Sequence, residues 1–160
     1  MGQIEKKLAG RGIVLPEVIV LPGRNRTSAV QIGNILYVSG HGSALLKDEK
    51  VKRIGRVGED VTQTEAYEAA KTVAIQMLGT IRHHIGDLDR VKKVVKITGM
   101  INAAPDFEHH NKVLDGASDF FYEIFGPDIG QHARSSLGVS GLVSRQSVEI
   151  EGIFHIEQIE

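Results

Sequence analysis

Apolar positions along this chain follow two different periods. Over residues 62–85, Tyr67, Ala70, Ala74, Met77, Leu78, Ile81 and Ile85 recur every three or four positions, which predicts an amphipathic helix. Thr62 or Thr64 suits its N-cap, Glu65 sits where the positive helix end favours an acid, and Gly86 suits its end. Residues 107–125 carry the same period, with Phe107, Val113, Leu114, Ala117, Phe120, Phe121, Ile124 and Phe125 inward. Pro105-Asp106 is read as the start of this helix and Gly126-Pro127 as its end. A short helix is predicted over 3–10, with Ile4 and Leu8 on one face and Gly10 and Gly12 breaking it.

Elsewhere the pattern is that of strands. Residues 27–32 and 35–39 flank Gly33-Asn34, a two-residue hairpin signal. Gly40-His41-Gly42 then reads as a loop leaving the sheet. Residues 91–101 are rich in β-branched side chains and read as a central strand. Residues 134–139 and 148–157 read as two more, the last strongly alternating. The run EVIVL at 17–21 predicts a strand or an extended arm, and the polar stretch 43–60 a loop with a short strand near 53–57. The order β-β-(β)-α-β-α-β-β points to an α+β domain, a mixed sheet with two helices on one face.

Composition narrows the function classes. The 160 residues suit one domain, and 41% apolar with 24% charged content is ordinary for a globular chain. The absence of cysteine excludes disulfides, thiolate catalysis and cysteine-based metal sites. Lys+Arg 19 against Asp+Glu 20 leaves a formal charge of -1, without the basic stripe of a nucleic-acid binder. Lys92, Lys93 and Lys96 form a small cluster, read as a solvated face. No apolar run approaches the roughly 18 residues that span a bilayer. The charged start MGQIEKKLAGRG has no apolar signal region, so the expected location is the cytoplasm.

The candidate chemistry is sparse. GQHARSS at 130–136 gathers His132, Arg134, Ser135 and Ser136 with little apolar cover. An arginine fork matches a carboxylate in two hydrogen bonds; the plainer reading of Arg134 is a pair with a surface acid. Glu149 and Glu151 share one strand face, opposite Val148 and Ile150. They suit general acid–base work or simply a solvent face. His83-His84 and His109-His110 are adjacent pairs, and no HExxH or HxH occurs, so no metal site is expected. Gly40-His41-Gly42 and the glycines at 55 and 58 lack phosphate-loop spacing and read as turns, no Gly-x-Ser-x-Gly elbow is present, and no cofactor is called for.

In order, IGNILYVSGHG, GDLDRVKKVVKITGMI, DFEHHNKV, HARSSLGVSGL and VEIEG resemble the RidA/YjgF group, the reactive intermediate deaminase or L-PSP endoribonuclease-like family, from about residue 29 to 157. The resemblance implies a chorismate mutase-like fold of bacillus type, one domain over 1–160 with 1–26 as an N-terminal extension, and a homotrimer with clefts between subunits. It implies that Arg134 binds a small carboxylate, that Asn111, Ser136 and the backbone of Gly40 lie beside the ligand, and that Glu149 positions a hydrolytic water. The chain departs from the family pattern at Arg26, where a tyrosine is usual, at His132 and at Leu142-Val143, where prolines are usual. The longer first helix and the segment DGASDFFYEIFG also set it apart.

Two readings follow. In one, the protein hydrolyses 2-imino or enamino acids to 2-keto acids and ammonia, with Arg134 and Glu149 catalytic and Asn111, Ser136, Gly40 and His132 lining the ligand. In the other, the same cleft binds or senses a small carboxylate without turning it over. Ribonuclease action, suggested by one of the family's names, fits poorly with the charge balance.

Overall fold

A computed structural model describes residues 1–18, 23–45 and 52–158. Three helices, α1 (Gln3–Gly10), α2 (Gln63–Ile85) and α3 (His110–Gly130), accompany five strands, β1 (Ala29–Ile32), β2 (Ile35–Gly42), β3 (Val91–Asn102), β4 (Ala133–Val139) and β5 (Val148–Ile156). They form one sheet in the order β1-β2-β5-β3-β4. The only parallel pair among them is β3–β4; the rest are antiparallel. This is the α+β mixed sheet the alternation predicts, with α1 packed against α3 in addition to the two long helices.

α2 starts where its sequence says it should. Thr62 Oγ1 accepts from the Glu65 amide at 3.2 Å, and Glu65 Oε2 accepts from the Thr62 amide at 2.8 Å, a complete capping box. Its apolar stripe and that of α3 bury the same sheet face. Leu36 and Val38 of β2, Val94, Ile97 and Ile101 of β3, and Val148, Ile150, Phe154 and Ile156 of β5 are all buried there. The two helices approach closely because Gly116 of α3 meets the Tyr67 carbonyl of α2 with no side chain between them.

Some expected boundaries move. α3 begins at His110, because Pro105-Asp106 make a separate turn and half-buried Phe107 precedes the helix. Gly126, at φ 79°, ends its regular part, and Pro127 opens one further helical turn. Gly40-His41-Gly42 does not leave the sheet: β2 continues through it, with a register shift against β5 between Val38 and His41. The short strand expected near 53–57 reduces to isolated bridges, Ile54 with Gln146 and Val57 with Ala103 and Val61. The 17–21 run lies largely outside the described residues, as does the middle of 43–60.

No helix among the described residues covers the other sheet face. Val30, Ile32 and Tyr37 are 49%, 66% and 46% exposed. Val30 pairs with Tyr37, and Tyr37 with Ile153, so these side chains form a row across β1, β2 and β5. No helix among the described residues is long and apolar enough to cross a membrane.

Candidate functional site

The predicted residues fall into two groups on opposite sides of the sheet. Arg134 is in register with buried Ile97, so its side chain points to the helix layer. There Nη2 meets Asp115 Oδ1 at 2.8 Å and Nη1 donates to Ser118 Oγ at 2.9 Å. Arg134 does pair with an acid, as its plainer reading supposed, but the acid belongs to α3 and the pair is half-buried.

His132 is wired into the same contact. Its Nδ1 lies 2.6 Å from the Gly130 carbonyl, which only accepts, so Nδ1 carries the proton. Nε2 of the neutral ring then accepts from Ser118 Oγ, 3.0 Å away. Burial pushes the imidazole below its ordinary range, and the charges of Arg134 and Lys93 push the same way against the hydrogen bond to Gly130. The donor chain therefore runs Arg134 to Ser118 to His132 to Gly130. It fixes His132 as a neutral support for the pocket wall.

An open surface depression of about 240 Å³ lies here, lined by Asp115, Ser118, Asp119, Tyr122, Gly130, Gln131, His132 and Arg134. Tyr67 of α2 donates to Asp119 Oδ2 at 2.9 Å. Its phenol is pushed up to about 12, by burial first and by Asp119 second, and so stays a donor. Sequence reasoning missed Asp115, Ser118 and Asp119. The signal was available: they stand at i, i+3 and i+4 on α3, a polar stripe beside the apolar one.

Glu149 belongs to the other face. It alternates with buried Val148 and Ile150 and lies opposite Gly42 and Met100 in the sheet. Gln146, itself 3% exposed, donates from Nε2 to Glu149 Oε2 at 2.9 Å, and its Oε1 accepts from the Ala44 amide at 3.3 Å. A side chain at Gly40 would overlap the Glu149 carboxylate, and one at Gly42 would overlap the Gln146 amide. The two glycines are thus the floor of a cradle, and Gln146, which sequence reasoning did not single out, is its clamp.

The remaining predicted residues sit on β4 and α3. Ser136 is two positions past Arg134 on the same side of β4, level with Gly99. Asn111 is exposed in the first turn of α3. Next to it, the His110 ring fills the space above Gly138. One chain therefore joins Arg134 with His132 and, separately, Glu149 with Gly40; it does not join Arg134 with Glu149. Among the described residues, the one acidic trio with metal-ligand spacing is Glu5, Asp87 and Asp89. Its oxygens accept from backbone amides of Gln3, Ile4, Leu88 and Asp89, so it ties α1 to the turn before β3.

Residues 5–149 match the family profile described as "YjgF/chorismate mutase-like, putative endoribonuclease". Protein TCP17 of Trypanosoma cruzi is 35% identical over 155 residues, 97% of this chain and 95% of that protein. A solved Agrobacterium tumefaciens protein of unknown function is 32% identical, with a TM-score of 0.83 over 96% of this chain and 91% of its own. A Shewanella oneidensis structure described as a "putative endoribonuclease" is 27% identical, with a TM-score of 0.87 over 97% of this chain and 100% of its own.

Proposed function

The chain belongs to the YjgF/chorismate mutase-like family, and from that premise we propose that it is a trimeric hydrolase of small 2-imino or enamino acids. In this reading Arg134 holds the substrate carboxylate and Glu149 holds the attacking water. The observation that carries it is the Glu149 cradle. A carboxylate fixed by Gln146 at 2.9 Å, seated over Gly40 and facing the uncovered side of the sheet, is a water-holding group set in advance. Holding substrate and water in fixed geometry supplies much of a rate gain through positioning.

Arg134 and Glu149 lie on opposite faces of one chain, so a cleft that uses both takes residues from two chains. Association through the open face, with its exposed Val30, Ile32 and Tyr37, supports such a cleft. A second reading, binding without turnover, is favoured by one observation: two Arg134 donors already serve Asp115 and Ser118.

The deciding experiment generates imino acids with an amino-acid oxidase and follows their hydrolysis with and without the protein. The expected result is acceleration that falls by about 100-fold in Glu149→Gln, the scale of one general acid–base group. No acceleration with any of several imino acids eliminates the hydrolase and leaves the binding reading. A parallel incubation with RNA tests the endoribonuclease activity in the descriptions of the family profile and of the Shewanella oneidensis structure.

A further inference from the structure

Ser118 and His132 form an arrangement that the hydrolysis of an imino acid leaves unused. Ser118 Oγ donates to His132 Nε2 at 3.0 Å, and His132 Nδ1 donates to the Gly130 carbonyl at 2.6 Å. A hydroxyl on an unprotonated ring nitrogen, with the ring oriented through its other nitrogen, is the geometry of a base-activated nucleophile. The Gly130 carbonyl here stands where a serine–histidine–aspartate triad has its carboxylate. The Phe121 ring meets the imidazole edge to face, with centroids 6.2 Å apart. Burial first, and then the charges of Arg134 and Lys93, hold the imidazole below its ordinary range against the bond to Gly130. The ring is therefore unprotonated at neutral pH and able to take a proton.

The serine is free for this work. Thr72 on α2 spends its hydroxyl on the Glu68 carbonyl one turn back, whereas Ser118 turns its hydroxyl to His132. Arg134 Nη1 donates to the same Oγ at 2.9 Å. A hydroxyl has one proton and two lone pairs. The proton goes to His132, one lone pair accepts from Arg134, and the second lone pair remains for attack. The guanidinium also stabilises the charge that grows on Oγ as the proton leaves. Ser118 is half-buried and lines the open depression of about 240 Å³, where a small molecule can reach it. Asp115 already holds Arg134 Nη2 at 2.8 Å, and Lys112 stands 3.7 Å from the other Asp115 oxygen. An anionic substrate would have to displace Asp115 from the arginine; an uncharged one need not.

We propose that Ser118 is an acyl-accepting nucleophile with His132 as its general base, and that the pair hydrolyses small uncharged carboxylic esters. Glu149 takes no part, since it lies on the other side of the sheet. In the first step Oγ bonds to the ester carbonyl carbon while His132 Nε2 takes the Oγ proton. The bond from that carbon to the leaving oxygen breaks, and His132 gives the proton to that oxygen, releasing the alcohol. Water then attacks the acyl-serine carbon, and His132 takes its proton and passes it to Oγ. The carboxylic acid leaves and Ser118 is restored, with nothing oxidised or reduced.

The test mixes the full chain with 4-nitrophenyl acetate and follows nitrophenolate by absorbance. Acid-quenched samples are digested, and the acetylated residue is located by mass spectrometry. The expected result is a burst of about one nitrophenolate per chain, then slower turnover, with the acetyl group on Ser118. Ser118→Ala is expected to remove the burst. His132→Gln is expected to slow acetylation of Ser118 by about 100-fold, the scale of one general base. The absence of both a burst and a Ser118 ester overturns the proposal, and so does acetylation confined to lysines or to other side chains. A His132→Gln protein that acetylates Ser118 at the unmodified rate overturns the role of His132, and His132→Asn takes its place if the glutamine variant does not fold. The position of the acetyl group in the unmodified protein decides the nucleophile whatever the variants do.

Discussion

Single side chains in this protein are often explained by what leaves room for them. Gly40 and Gly42 have no side chain because Glu149 and Gln146 lie over them. Gly40→Ala is therefore expected to displace the Glu149 carboxylate and lower turnover of an imino acid by on the order of 100-fold, with far-ultraviolet circular dichroism unchanged. Gln146→Leu keeps the volume but removes the donor at 2.9 Å. It is expected to lower kcat with little change in KM, since in the proposed hydrolysis the water rather than the substrate loses its support. A second residue-scale consequence concerns protons. His41 is half-buried, its Nδ1 donating to the Ser39 carbonyl and its Nε2 accepting from Thr80, and desolvation holds its imidazole below the ordinary value of 6.5 against the bond to Ser39. His84 and His132 are lowered too, by burial first. Each binds a proton more weakly folded than unfolded. As pH falls below 6.5, the unfolded chain takes up protons first, and stability declines toward acid. Urea midpoints at about pH 7.5 and about pH 5.5 should show this loss, and His41→Gln should reduce it. An unchanged slope in that variant would show that His41 has no share in it.

At the scale of elements, the packing of α2 on α3 turns on one position. Gly116 sits against the Tyr67 carbonyl and the Lys71 amide, both backbone and unable to swing aside. Gly116→Ala should push the helices apart and destabilise the fold by about 2–3 kcal/mol, despite the better helix propensity of alanine. Gly10→Ala, where nothing lies within 4 Å, serves as the control and should change the urea midpoint little. This asymmetry also marks what could be read from the chain. The Thr62 cap, one of the two threonines the sequence offered, the Gly33-Asn34 hairpin and the alternation of β5 rest on local chemistry, and each appears in the structure. The path of β2 through Gly40-His41-Gly42 did not read as strand, because glycine disfavours one; contacts from Gln146 and Glu149, more than 100 positions away, decide it. The start of α3 was misplaced because Pro105 fits a helix opening and a turn equally well. Arg134 and Glu149 were both visible as candidates, but their placement on opposite faces depends on strand register, which no short motif encodes.

For the whole molecule, the unresolved tension is a sheet that the described residues cover on one side only. Val30, Ile32, Tyr37 and, on β4, Leu137 at 49% exposure put apolar surface into solvent on an antiparallel-rich sheet. The same face carries Glu149, while Arg134 looks the other way, so the proposed hydrolysis and the proposed assembly share a requirement. Were the protein to act as a monomer, Glu149 would face open water with no substrate anchor beside it. If three chains close over these faces, light scattering coupled to gel filtration should give about three times the chain mass of 17.4 kDa. Replacing Val30 and Tyr37 together by lysine places like charges directly opposite each other in the β1–β2 register and removes the apolar row. That double variant should run at the mass of one chain and keep its circular dichroism spectrum, because neither side chain enters the helix-covered core. Its imino-acid turnover should fall with the assembly, by about the same 100-fold as Glu149→Gln. A monomeric variant that retained full turnover would show that Glu149 and Arg134 need not meet across chains, and the intersubunit cleft would have to be abandoned.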